Sequence, residues 1–138
     1  MRADITVVAV YPHPRARVWQ ALVSAEALSA WLMPTDFRPV VGHGFTFRTT
    51  PRPGFDGVVR CRVLEISEPD RMVWSWLGGP VDTTVTFTLA ELGPSSTRLR
   101  FEQTGFHGLG AQFARLILTR GWKKMAAVGL PAHLDRQA

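Results

Sequence analysis

The sequence predicts an α+β domain in which a curved antiparallel sheet wraps one long C-terminal helix. Three observations carry this. Short segments of period-two alternation recur from Phe37 to Phe106, each bounded by turn residues. The stretch from Leu109 to Leu130 instead spaces its apolar residues at helical intervals. No other segment is long enough to cover the sheet's apolar face. The order of elements reads strand, helix, helix, six strands, helix.

The first strand is Ile5 to Tyr11, with Ile5, Val7, Ala9 and Tyr11 on one face. Pro12-His13-Pro14 ends it. Pro14 suits the first position of a helix, where a missing N–H leaves no bond unmade, and Val18, Trp19, Leu22 and Val23 supply an apolar stripe. Ser24 is placed to cap a second short helix, with Glu26 in its first turn and Leu28, Trp31 and Leu32 inward. Turn signals then recur at Gly42-His43-Gly44, Pro51-Arg52-Pro53-Gly54, Glu68-Pro69-Asp70, Gly78-Gly79-Pro80 and Gly93-Pro94-Ser95-Ser96. Between them Phe45 and Phe47 alternate with Thr46 and Arg48, and Val59, Cys61 and Val63 with Arg60 and Arg62. Met72, Trp74 and Trp76 form an aromatic row. Val85, Phe87 and Leu89 alternate with threonines, and Leu99 and Phe101 with Arg98, Arg100 and Glu102. This is the pattern of a meander with one wet face. In the closing helix Leu109, Phe113, Leu116, Ile117, Gly121, Met125 and Val128 approximate one face, and Pro131 is expected to end it near Leu130, leaving a tail from Ala132 to Ala138.

Composition sets the bounds. With 138 residues, 46% hydrophobic and 20% charged, the chain reads as one soluble domain spanning residues 1–138. A chain of this size buries about 68% of the surface its unfolded form exposes. No apolar run approaches the roughly 20 residues of a membrane span. The opening Met1-Arg2-Ala3-Asp4-Ile5 does not read as a signal peptide. The single Cys61 excludes an internal disulfide and fits a reducing cytoplasm. Net charge is +5, but the arginines are scattered and no basic run exceeds two residues, so no nucleic-acid partner is expected.

Several stretches together resemble a known family. They are Pro14-Arg15-Ala16-Arg17-Val18-Trp19-Gln20-Ala21-Leu22 with Trp31 downstream, Val40-Val41-Gly42-His43-Gly44-Phe45-Thr46-Phe47, and Val63-Leu64-Glu65-Ile66. Pro69-Asp70-Arg71-Met72-Val73-Trp74-Ser75-Trp76, Val85-Thr86-Phe87-Thr88-Leu89, Thr97-Arg98-Leu99, Gly105-Phe106 and Gly121-Trp122 complete the set. Their order and spacing are similar to the START and Bet v 1-like (SRPBCC) superfamily, in the branch named after the activator of heat-shock protein 90 ATPase. The resemblance implies a helix-grip fold, a deep apolar cavity between sheet and long helix, and a largely uncharacterised bacterial membership. Related branches bind lipids, sterols or polyketides, and a few are aromatases or cyclases. The eukaryotic co-chaperone carries a further N-terminal chaperone-binding domain that this chain is expected to lack, so the family name says little about chaperone stimulation. Ala126 and Gly129 depart from the leucines frequent in relatives, which bears on the cavity floor.

Trp31, Phe45, Phe47, Cys61, Trp74, Trp76, Phe87, Phe101, Gln103, Phe113, Ile117 and Trp122 are expected to converge between sheet and helix and to line a ligand pocket. The alternative is that they fill the core, each contributing about 1.5–3 kcal/mol by burial. Tyr11 and Glu65, with Gln103, are the candidate polar groups to orient a ligand. His13, His43, His107 and His133 have no zinc-motif spacing, Cys61 reads as a small hydrophobe, and no phosphate-cradling or nucleophile-elbow motif occurs. The sequence therefore points to a small apolar or amphipathic ligand held without catalysis, with no metal or cofactor, by a monomer or homodimer. Two other classes stay open. One is a protein-interaction module, such as one for a chaperone, using the outer sheet face or Arg120, Lys123 and Lys124. The other is a cyclase-like or hydrolase-like enzyme using Tyr11, Glu65 or Gln103.

Overall fold

A computed structural model describes residues 4–137. The sequence readings that fall on Met1 to Ala3 and on Ala138 lie outside the described residues. Six strands, β1 (Ile5–Tyr11), β2 (Gly44–Arg48), β3 (Val58–Ser67), β4 (Arg71–Gly78), β5 (Val81–Gly93) and β6 (Ser96–Thr104), form one antiparallel sheet. Their order is β1-β6-β5-β4-β3-β2. Helices α1 (Arg15–Leu22) and α2 (Ala25–Trp31) separate β1 from β2, and the closing helix grips the sheet's concave face. The predicted α+β helix-grip architecture is therefore the observed one. One count changes. Five strands follow the helices, not six, because the stretch after α2 joins the sheet only through an isolated bridge between Thr35 and Phe47. Phe37 from that stretch is buried against Phe45 and Trp74 instead.

The alternation read in the sequence sets the register. Val7 pairs with Phe101, Phe101 with Phe87 and Phe87 with Met72, so apolar residues meet across the concave face. Arg60, Arg62, Arg98 and Arg100 are exposed on the other face. The exception is a register shift between Val63 and Glu65 in β3. Such a bulge moves the residues beyond it to the opposite face.

Local chemistry explains the short helices. Pro14 stands at the N-cap of α1, one position before the expected one, and Ser24 Oγ caps α2 by accepting from Ala27 N–H at 3.2 Å.

The closing helix differs from expectation twice. It does not end near Leu130: α3 (Leu109–Lys124) passes through a π turn (Met125–Gly129) into α4 (Leu130–Arg136). Leu130 N–H reaches back five residues to Met125 C=O, and Pro131 falls in the first turn of α4, where the missing N–H is harmless. Nor is the buried face the expected one. Trp122, Ala126, Leu130 and Leu134 are buried, whereas Leu109, Phe113, Leu116, Ile117 and Val128 are exposed. A row repeating every fourth residue drifts around a regular α-helix of 3.6 residues per turn. The wider π turn counters that drift and keeps the row on the core.

α4 packs on both α1 and α2 and buries His133. Burial, reinforced by the nearby Arg136 charge and opposed by Glu26, lowers the His133 pKa from its ordinary value. The unfolded chain therefore takes up this proton first. The contribution is present above the unfolded pKa of about 6.5 and is lost as pH falls through the folded value. The urea midpoint of the wild type should fall between about pH 7 and pH 5, and His133→Gln should flatten that fall; equal slopes would assign it elsewhere.

Candidate functional site

Along α3 the sheet and helix stand apart and leave between them a cavity of about 780 Å³ that opens to solvent. One wall is α3, through Gly110, Phe113, Ala114, Ile117, Leu118, Gly121 and Trp122. The opposite wall is the loop joining β2 to β3, through Thr49, Thr50, Arg52, Pro53, Gly54 and Phe55. Leu32 and Met33 after α2, Met125 after α3, Val59, Trp76, Gly78 and Val81 from the sheet, and Pro80 from the turn between β4 and β5 complete it. The loop is held in shape by its own backbone. Thr49 N–H donates to Gly57 C=O at 2.8 Å, and Arg52 and Phe55 exchange two 2.8 Å bonds across Pro53-Gly54. Gly57 has φ of +82°, and a Cβ there would stand 2.6 Å from Thr49 C=O, so only glycine fits.

The floor is aromatic. The Trp122 ring lies 4.0 Å from Phe101 and 5.3 Å from Trp76 between centroids. Its Nε1–H donates to Gln103 Oε1 at 2.9 Å; Gln103 Nε2 donates to Thr83 Oγ1 at 2.8 Å, and Thr83 Oγ1 donates to Trp76 C=O at 3.2 Å. This chain satisfies a fully buried amide and ties the Trp122 indole to the backbone of β4 at Trp76.

Of the expected pocket residues, Trp76, Phe113, Ile117 and Trp122 border the cavity. Phe113 and Ile117 do so from its mouth, being 68% and 49% exposed. Trp31, Phe45, Phe47, Cys61, Trp74, Phe87, Phe101 and Gln103 are buried but lie outside its lining. Phe45, Phe47 and Phe87 surround Trp74 at centroid distances of 5.2, 5.7 and 4.9 Å, a filled aromatic core. Trp74 Nε1 is the only buried side-chain nitrogen or oxygen without a hydrogen-bond partner among the described residues. Burial raises the Cys61 pKa far above its ordinary value, keeping it a thiol and no nucleophile.

The expected polar orienters are engaged elsewhere. Tyr11 OH donates to Ala126 C=O at 2.7 Å, and burial raises its pKa. Glu65, turned by the β3 bulge, accepts from Arg71 Nε at 2.9 Å outside the cavity. Neither Tyr11 nor Glu65 lines the cavity, and Gln103 has its amide partnered within the core. The polar lining comes instead from Thr49, Thr50 and Arg52, in a loop that sequence reading treats only as a turn. The available signal was Phe55, an aromatic set directly behind Pro53-Gly54.

The small helix residues behave differently from one another. A Cβ on Gly121 would meet nothing within 4 Å, whereas on Gly129 it would stand 2.9 Å from Trp31 C=O. The helix is open at Gly121 and closed down at Gly129. Among the described residues no group of three or more His, Cys, Asp and Glu is placed to hold a metal ion, and no helix is long and apolar enough to cross a membrane.

The family model described as Activator of Hsp90 ATPase homolog 1-like protein matches residues 12–135. A solved Mesorhizobium loti protein shares 30% identity and a TM-score of 0.85, with 99% of each chain covered. An HSP90 activator from Plasmodium falciparum has 16% identity and a TM-score of 0.76, over 96% of each chain. A protein of the dynemicin biosynthetic locus has 20% identity and a TM-score of 0.77, over 97% of this chain and 48% of its own. The last two likenesses are likenesses of fold. Comparison with curated protein sequences finds no match.

Proposed function

The chain belongs to the Activator of Hsp90 ATPase homolog 1-like family, and from that premise we propose that it holds an apolar or amphipathic small molecule between α3 and the loop joining β2 to β3. The observation that carries this is the cavity itself. Its 780 Å³ lies within the range of about 300–1,000 Å³ typical of ligand sites, and its lining is apolar apart from a few groups at one side. Burial of apolar surface would drive binding, at roughly 25 cal/mol per Å² before the costs of association. Holding without catalysis is favoured because Tyr11, Glu65 and Gln103 have their hydrogen bonds elsewhere. The buried lone thiol of Cys61 suits a reducing compartment such as the cytoplasm.

Trp76 and Trp122 border the cavity, so an occupant should change tryptophan emission. We expect saturable fluorescence changes with a panel of fatty acids and polycyclic aromatics, and retained small-molecule mass in native mass spectrometry. Gly121→Leu should abolish both by filling open space while leaving the melting temperature within a few degrees. A wild type silent to the whole panel would sink the proposal.

A second reading rests on one observation. Leu109 and Leu116 are 92% and 55% exposed on α3 yet stand off the cavity, in a row that runs from the start of the helix toward its basic end at Arg120, Lys123 and Lys124. With an HSP90 activator among the structural neighbours, that stripe suits a protein partner such as a chaperone. Leu116→Asp separates the readings: it should leave the ligand response intact, and loss of a co-purifying chaperone with it would favour the partner surface.

A further inference from the structure

The lining has a charge asymmetry. Among the described residues Arg52 is the only charged one that borders the cavity, and none of them brings a carboxylate there. Asp56, the acid of the same loop, is taken by Arg60 Nη2 and by Val58 N–H, each at 3.1 Å. Arg52 itself has no side-chain hydrogen bond or ion pair among the described residues, and neither have the hydroxyls of Thr49 and Thr50. Three solvent-exposed polar groups without a protein partner thus sit within four consecutive residues on one wall, bordering an otherwise apolar space. The paired bonds between Arg52 and Phe55 fix the backbone that carries them, so little ordering is needed when a ligand arrives.

We propose that the ligand is an apolar molecule bearing a single carboxylate, with Arg52 receiving the carboxylate at the cavity mouth and Thr49 and Thr50 as supplementary donors. This rests on the cavity reading above and sharpens it to a ligand class. A guanidinium offers two parallel N–H donors that match the two oxygens of a planar carboxylate. One cation balances one negative charge; a phosphate dianion would leave net charge at the edge of an apolar chamber. The apolar body then lies along Phe55, Ile117 and Trp122.

Isothermal titration calorimetry with two matched pairs tests this: dodecanoate against dodecanol, and 2-naphthoate against 2-naphthylmethanol. In the wild type the acid of at least one pair should bind about five- to tenfold more tightly than its alcohol, and this margin should shrink with added salt. Arg52→Gln should remove the margin by weakening the acid alone, and Arg52→Lys should restore part of it. Because Arg52 is exposed, these variants are expected to fold, which the unchanged affinity for the alcohol verifies. Equal binding of acid and alcohol by the wild type, or an acid affinity indifferent to Arg52→Gln, overturns the carboxylate assignment and leaves the cavity reading standing. A calorimetric blank for all four probes overturns both.

Discussion

Trp122→Ala is expected to lower stability by about 3–5 kcal/mol, the range for removing a large aromatic from a packed interior. The ring that disappears lies against Phe101 and Trp76, at the border between solid core and open cavity. Its loss also leaves Gln103 Oε1 buried without its donor. Trp122→Phe separates these effects. It keeps much of the ring contact but removes the Nε1–H, and should cost about 1–3 kcal/mol for the stranded amide oxygen. Urea unfolding of the two variants measures both numbers. A Trp122→Phe protein as stable as the wild type would mean that the hydrogen-bonded chain through Gln103 and Thr83 adds nothing to the packing.

Gly129→Val is expected to be the next most damaging change, and Gly121→Ala the opposite in sign. At Gly129 a side chain meets the Trp31 carbonyl oxygen at 2.9 Å and Met125 Sδ at 3.4 Å. The oxygen belongs to backbone and cannot rotate aside, so α4 must lift from α2, at the upper end of the roughly 1–3 kcal/mol seen for overpacked sites. At Gly121 a methyl meets open space, and replacing a helical glycine by alanine should add up to about 1 kcal/mol. Thermal unfolding of Gly129→Val, Gly129→Ala and Gly121→Ala checks this, with melting temperatures falling, falling less, and rising in that order. A Gly129→Val protein as stable as the wild type would show that the helix end is not clamped as described.

These contrasts mark where the sequence was informative. The strands were legible because a sheet with one wet face imposes period two on each of them, from Phe45 and Phe47 to Leu99 and Phe101. The bulge after Val63 was not, because it depends on the pairing of β3 with β4, and it sent Glu65 outward. The helix was legible as a helix but not in its phase. Two apolar rows compete there: Leu109, Phe113, Leu116 and Ile117 on one side, Trp122, Ala126, Leu130 and Leu134 on the other. Tertiary contacts with Tyr11, Trp31 and Phe101 choose the second. Aromatic residues as a class marked the interior correctly, but composition cannot distinguish a ring packed by rings on all sides, as Trp74 is, from one with an open flank, as Trp76 is. The polar part of the site was missed because it lies in a loop whose shape comes from backbone bonds and from glycine geometry, not from a pattern of side chains.

The π turn at Met125–Gly129 has a consequence for how such a chain can change over time. Beyond it, α4 is bound to α1 and α2 and carries the demands of folding. Before it, Phe113, Ile117, Leu118 and Gly121 border open volume and carry few. One continuous helix therefore contains a segment that tolerates little substitution and, outside the buried Ala111 and Trp122, a segment that can be rewritten. Successive variants can exchange one guest for another along the permissive half while the anchored half keeps the protein foldable throughout.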